Sequence, residues 1–540
     1  MTKYEADGEW GPESDGARRS FASRTPVNDN PDKVVYRRGF VTRHQVTGWR
    51  FVMRRIAAGI ALHDTRMLVD PLRTQSRAIL MGVLLLITGV VGCFVFSLIR
   101  PNGQAGNNAV LADRSTAALY VRVGDELHPV LNLTSARLIA GRPVNPVTVK
   151  SAELDRFPRG NLIGIPGAPE RMVQSTSHDA NWTVCDTLSG TGRAVHSMGV
   201  TVIAGLPDST GARAATLGSG QAVLVDDGTS TWLLWEGKRS RIDLTDHAVT
   251  SALGLEAEIP APRPIASGLF NAIPEAPALT APAIPRAGSP ADFAVPAPIG
   301  AVVTAYSLDR TPSDTVYYAV LPDGLQPISP VLAAVLRNTN SYGLQQPPRL
   351  GADEVAKLPV SRLLDTAGFP VLPVNLVDVS RDPVTCAYWS KPAGAATSSL
   401  SLLSGSALPV PDAVRTVELV GGGSPGVATR VALAPGTGYF TQTVGGGATA
   451  PATGSLFWVS DTGVRYGIDT EAEAGSGASG HGKTIEALGL TWPPLSVPWS
   501  MLSLFAPGPT LSRADALLAH DGLPPDSKPG RQVASGGEPR

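Results

Sequence analysis

Residues 78–99 read AILMGVLLLITGVVGCFVFSLI, 22 positions without a charge. About 20 apolar residues in a helix cross ~30 Å of hydrocarbon, so this stretch predicts one membrane-spanning helix. A core helix of the same length would carry a polar stripe. A cleaved signal peptide would begin nearer the N-terminus, with an apolar run of roughly 7–15 residues. Asp70 can cap the helix and Pro71 suits its first position, so the start lies in the polar turn before the bilayer.

The flanks orient the span. Between Lys33 and Arg77 there are ten Lys or Arg against two acids, Asp64 and Asp70; beyond the span only Arg100 lies close. Positive charge stays inside, which predicts a cytoplasmic N-terminus and most of the chain's mass outside. Anionic lipid headgroups would attract the same basic stretch.

Composition bounds the remainder. The chain has 540 residues, a formal net charge of -1 and 17% charged residues. The bulk after the span lacks the basic surface that nucleic-acid binding requires, so no nucleic-acid partner is expected. The 47 Pro and 57 Gly predict many short strands and turns. Of three cysteines, Cys93 lies in the span, while Cys185 and Cys386 lie outside, where disulfides persist. A bond between those two is the simplest reading; two free buried thiols are the alternative.

Residues 1–30 are polar and aperiodic and read as a disordered cytoplasmic tail. Residues 31–77 read as a basic amphipathic cytoplasmic region. Thr42 and Gln45 make a capping-box pattern. Val46, Trp49, Met53, Ile56 and Ile60 then recur at helical spacing, beside Arg50, Arg54 and Arg55. Such a helix can lie on lipid or pack on a partner helix; a small cap folding on itself is the alternative.

Outside the membrane the chain repeats an apolar-aromatic strand, a Gly turn, a short strand and a helix. The copies begin at Leu119 (LYVRVGDELHPVL), Thr231 (TWLLWEGKRSRID), Val316 (VYYAVLPDGLQPI) and Ser455 (SLFWVSDTGVRYGID). The second and fourth share Ile-Asp after the hairpin and Ala-Leu-Gly-Leu at the helix end. These features predict a single-pass transmembrane helix plus a large β-rich α+β extracytoplasmic domain. Four hairpin-helix repeats would surround a disulfide-linked central β domain with pseudo-twofold symmetry. The predicted boundaries are 78–99 for the span, 110–170 for the first repeat, 171–229 for the first half of the central domain and 230–257 for the second repeat. They continue with 258–300 as a Pro-rich linker, 301–370 for the third repeat, 371–450 for the second half of the central domain, 451–520 for the fourth repeat and 521–540 for a disordered tail. A short capped helix is expected beyond Leu511.

One motif suggests chemistry. Residues 477–484, GASGHGKT, match the G-x-x-x-x-G-K-[ST] phosphate loop, with Gly477, Gly482, Lys483 and Thr484 as its nucleotide-binding positions. The run AVLVDD at 222–227 resembles a metal-holding strand end. Against this, the motif falls in a Gly-Ser insertion, on the side of the membrane where nucleotide is scarce, in a hairpin repeat rather than a parallel sheet. It therefore reads as a flexible loop. The eight His show no metal spacing and no G-x-S-x-G elbow occurs. No catalytic residue, metal or cofactor is expected, with ATP only if the loop binds it.

Residues 40–78, FVTRHQVTGWRFVMRRIAAGIALHDTRMLVDPLRTQSRA, resemble the EccB family of mycobacterial type VII (ESX) secretion systems, most closely its third-system branch. The resemblance implies a structural inner-membrane core component that joins the EccC motor ATPase, EccD, EccE and other copies of itself to export Esx and PE/PPE proteins. It also implies a disulfide between Cys185 and Cys386. Family members are commonly named ATPases, so an extracytoplasmic ATP hydrolase is one alternative function; a cell-wall binding module is another.

Overall fold

In the computed structural model the long apolar run becomes helix α2. The structure describes residues 42–63, 71–99, 103–190, 195–255, 259–306, 315–419, 421–422, 426–470, 482–520 and 522. The tails expected to be disordered, the Asp70 cap and the Gly-Ser insertion at 471–481 lie outside these residues.

The chain divides into Met1–Pro101 and Asn102–Arg540. The first unit holds α1 (Arg43–Leu62) and α2 (Pro71–Ile99). Pro71 is the first helical residue of α2, where its missing N–H costs nothing. At ~1.5 Å per residue its 29 residues extend roughly 43 Å.

The second unit is β-rich. Four sheets within it are wound alike. In the first, Val110–Asp113, Leu119–Val123 and Glu126–Pro129 form an antiparallel meander; after the helix Leu133–Ala140, Val147–Val149 returns parallel to the opening strand. In the second module the meander is Gln221–Asp226, Thr231–Trp235 and Lys238–Ile242, the helix is His247–Ala252, and Arg263–Pro264 returns. The third uses Val302–Tyr306, Thr315–Leu321 and Gly324–Ile328, the helix Pro330–Thr339, and Arg349–Leu350. The fourth uses Tyr439–Val444, Leu456–Val459 and Val464–Ile468, the helix Lys483–Leu488, and Leu495–Pro498.

After the return strand each module adds a short helix, and the chain then lies parallel to the third strand. Glu275–Leu279 and Ala506–Pro507 do so in the second and fourth modules. In the first and third, single bridges from Arg159 to Leu127 and from Val360 to Leu325 take their place.

Local sequence explains the helices. Asn132, Asp246 and Ser329 accept backbone N–H groups at the first three helix starts, which satisfies donors the helix cannot. Gly237 closes the second hairpin at φ +76°, and a Cβ there would fall 2.1 Å from the Leu400 carbonyl oxygen. Only glycine permits both that turn and that approach.

The modules pack in pairs through these helices. Leu138 and Ile139 of the first meet Ile485 and Leu488 of the fourth. Val249 and Leu253 of the second meet Val331, Leu332 and Val335 of the third. Burial of each such side chain contributes roughly 1.5–3 kcal/mol.

Between the pairs runs a seven-stranded sheet. Its two middle strands, Ala180–Ser189 and Val384–Lys391, come from opposite halves of the chain and pair antiparallel, with Cys185 opposite Cys386. The two cysteines are joined in a disulfide. Trp182, Val184, Ala387 and Trp389 point to one face and Cys185, Val384 and Cys386 to the other, as the twofold period of a strand dictates.

Residues 259–300 depart from the Pro-rich linker expected of them. They supply the strand Arg263–Pro264, the helix Ser267–Ala272 and the strand Glu275–Leu279. Leu269 and Ile273 are buried in the core beneath the central sheet, against Met501, Leu502 and Phe505. Apolar side chains between the prolines decide the outcome, and Pro264 is accommodated on an edge strand, where no ladder donor is lost. The expected helix beyond Leu511 is also shorter than its pattern: Arg513–Ala516 is helical, and Ala519–His520 then forms a strand against Leu162–Ile163.

Candidate membrane and assembly surfaces

Helix α1 presents an apolar face left open among the described residues. Its start is fixed by the Thr42 N–H donating to Gln45 Oε1 at 2.9 Å, one arm of the expected capping box. Val46, Trp49, Met53, Ile56 and Ile60 are all exposed, as are Arg50 and Arg55; Arg54 is half-buried. No acid occurs within the helix. An apolar stripe beside guanidinium groups favours an amphiphilic, anionic neighbour.

From Ala78 onward helix α2 is apolar on all sides. Ser76–Phe96 has a mean hydropathy of 2.7, none of it is buried, and it is the one such helix among the described residues. The Thr88 hydroxyl donates to the Leu84 carbonyl at 2.8 Å, so its polar group is satisfied within the helix, as hydrocarbon demands.

The outer unit holds a buried charge pair that sequence reasoning missed. Arg263 donates to Asp186 Oδ2 at 3.0 Å, with both side chains essentially inaccessible. Asp186 also accepts from the Ala266 N–H at 3.0 Å and from the Ser197 hydroxyl, and Arg263 donates to the Thr385 hydroxyl. Burial pushes the Arg263 guanidinium below its ordinary range, and the Asp186 charge opposes that. The pair fastens the return strand of the second module to both central strands. Its signals in the sequence are one acid inside an apolar strand and one arginine inside a proline run.

The phosphate-loop residues are divided. Gly477 lies outside the described residues. Gly482 caps the six-residue helix Lys483–Leu488, on which Lys483 is exposed and Thr484 is only 8% accessible. The strand before it, Val464–Ile468, runs antiparallel to its neighbour Leu456–Val459, unlike the parallel strand that leads into a phosphate loop. Asp227, the end of the run resembling a metal site, serves its own turn. It accepts from Thr229 and Ser230 at 2.8 Å and from Trp232 Nε1 at 3.1 Å. Burial raises its carboxyl, but these hydrogen bonds outweigh that and hold it below the usual range.

Known proteins share this sequence and this fold. Residues 38–525 match the family model described as type VII secretion system ESX-1, transport TM domain B. The ESX-3 secretion system ATPase EccB3 of Mycobacterium tuberculosis is 79% identical over 528 residues, 97% of this chain and 98% of that protein. Its namesake in Mycolicibacterium smegmatis is 63% identical over 97% of this chain and 99% of its own length. Among solved structures, the EccB3 dimer from the ESX-3 core complex matches with a TM-score of 0.67 at 60% identity, covering 76% of this chain and all of that one. A chain of an intact ESX-5 inner membrane complex matches with a TM-score of 0.69 at 38% identity, over 92% and 99%.

Proposed function

The chain belongs to the EccB family of type VII secretion membrane components, and we propose that it serves as a structural strut of an ESX inner-membrane core complex. The observation that carries this reading is the match of nearly the whole chain to proteins solved inside such assemblies. Its partners are other copies of itself and the complex subunits EccC, EccD and EccE, and its cargo is the Esx and PE/PPE proteins that the complex exports.

The strut is oriented with α1 in the cytoplasm and the outer unit in the periplasm, because ten basic residues lie just ahead of the span. Helix α1, through Val46, Trp49, Arg50, Met53, Arg54, Arg55 and Ile56, meets lipid headgroups or a partner helix at the inner leaflet. The outer unit is two related halves of two modules each, about a pseudo-twofold axis through the Cys185–Cys386 bond. Supporting this are the common strand order of the four sheets and the pairing of modules one with four and two with three, which such an axis interchanges.

No catalysis is assigned to the chain. Relatives carry ATPase in their names, and that activity would have to rest on Gly482, Lys483 and Thr484. The test of the assembly role is affinity purification of the tagged chain from membranes, with and without residues 1–70. The full chain should bring down the motor and channel subunits, and the truncated chain should lose them. Equal recovery from both would refute the role of the cytoplasmic segment.

A further inference from the structure

Buried tryptophans in the outer unit differ in what their ring N–H meets. Trp182 Nε1 donates to the Ser496 carbonyl at 2.9 Å, Trp232 to Asp227 Oδ2 and Trp235 to Ser240 Oγ, the last two at 3.1 Å. Trp458 is just as deeply placed, at 1% exposed, yet its Nε1 has no hydrogen-bond partner among the described residues. An indole N–H can only donate, and one kept from water needs an acceptor.

The fold aims this N–H into a cavity. Trp458 lies on the middle strand of the fourth module, opposite Phe440. Gly438, just before the first strand, sets bare backbone against the ring. A Cβ there would fall 2.2 Å from Cζ2 and 2.7 Å from Cε2, the atom bonded to Nε1. Trp458 and Gly438 line a cavity of about 40 Å³, which Thr437, Asp461, Val173 and Arg171 also line. Trp458 and Gly438 are buried, whereas Val173 and Arg171 are exposed at the mouth. The wall at Val173 is fixed to the module: the Gly438 N–H donates to the Val173 carbonyl and the Ser175 N–H to the Gly438 carbonyl, both at 2.8 Å. The cavity therefore sits where the chain leaving the first module crosses the fourth.

Its walls set the chemistry of an occupant. Asp461 Oδ2 accepts from the Gly436 N–H at 2.7 Å, which leaves Oδ1 for another donor. The Thr437 hydroxyl donates to the Ala434 carbonyl at 3.2 Å, which leaves its oxygen able to accept. One donor thus faces two acceptors. A carboxylate or phosphate would meet the Asp461 carboxylate, an ammonium could not accept from Trp458, and a carbonyl would leave both acceptors unmet. A hydroxyl accepts from the indole and donates to the far wall. At roughly 10–15 Å³ for each water-sized group, there is room for about three.

We propose that this cavity is a binding site for hydroxyl groups, those of water or of the end of a small polyol, held between Trp458 Nε1 and the oxygens of Asp461 and Thr437. The occupant would also rest against Val173 and so fill the seam between the first-module segment and the fourth module.

The test is NMR of the full chain in detergent, deuterated and labelled with nitrogen-15 at its nine tryptophans. Trp458→Phe assigns the one indole signal that matters. Its ring proton should show cross-relaxation with water. Ethylene glycol should shift that signal saturably, and acetate, matched to it in size, should not. Contact with water and no response to ethylene glycol would support the site with water as its only occupant. Thr437→Val should weaken the hold on ethylene glycol, or the residence of water, at least tenfold, while the other eight indole signals stay in place as the check on folding. If that variant disturbs the other eight, the comparison of ethylene glycol, water and acetate on the unaltered chain decides. A Trp458 proton that meets neither water nor ethylene glycol, a shift produced by acetate, or a folded Thr437→Val chain that behaves as the original would overturn the proposal.

Discussion

Replacing both Cys185 and Cys386 by alanine should cost the outer unit most of the stability that its one cross-link supplies. The bond joins positions 201 residues apart in sequence. In the chain-entropy model, closing a loop of that length removes about 18 cal/mol/K from the unfolded ensemble, or about 5 kcal/mol at 25 °C. An outer unit of roughly 400 folded residues gains about 0.8 kcal/mol/K of entropy on unfolding, so the melting temperature should fall by about 6 °C. The native strands should remain paired, because the ladder runs on both sides of the cysteines, from Val384 opposite Thr187 to Lys391 opposite Ala180. The assay is urea unfolding of the full chain in detergent, followed by tryptophan emission, since Trp182 and Trp389 pair three residues from the bond. A lower midpoint with native emission before the transition is expected. A loss of less than about 1 kcal/mol would show that the bond does not limit the separation of the two halves in the unfolded chain.

Other expectations follow from the same structure. Arg263→Met should destabilise by about 3–5 kcal/mol, because Asp186 would stay buried without its partner. Asp186→Leu with Arg263→Met should recover much of that loss in the same denaturation assay; no recovery would contradict a charge-pair origin. Asp113 is held at about 2 by the Ser115 N–H first, then by the Ser151 hydroxyl, with further bonds from the Ser115 and Thr116 hydroxyls. Its folded value lies below its unfolded one, so this contribution is present above about pH 4 and lost as pH falls towards 2. Asp113→Asn should flatten acid unfolding in that window. Trp49→Asp with Arg54→Glu and Arg55→Glu should weaken attachment of α1 to vesicles rich in anionic lipid, by about 1 kcal/mol for each arginine removed from the membrane surface. Lys483→Ala should leave any ATP hydrolysis by the purified chain unchanged, and a loss confined to that variant would restore the phosphate-loop reading.

What could be read in advance depended on how local each signal was. Residues 78–99 announce a span because hydrocarbon imposes one length and forbids charge. The second and third strands of each meander were visible because a tight turn joins them, as at Gly124 and Gly237. The opening and return strands were not. A two-residue strand such as Arg349–Leu350 has no periodicity, and it pairs with Thr304 and Ala305, roughly 45 residues away in the chain. The proline run at 259–300 was read from composition, which reports local stiffness and not the burial of Leu269 and Ile273. Arg263 and Asp186 meet only in the folded core. The pairing of the cysteines could be expected from their side of the membrane, whereas their place in the middle of a seven-stranded sheet could not.

If this chain holds a secretion complex together, the complex should not survive without it. The decisive experiment is deletion of the chain from its host, followed by native sizing of the detergent-extracted membrane complex through a tag on the motor subunit. The large complex should disappear into smaller species and return when the full chain is supplied. A complex of unchanged size and subunit content without the chain would contradict the role of a strut.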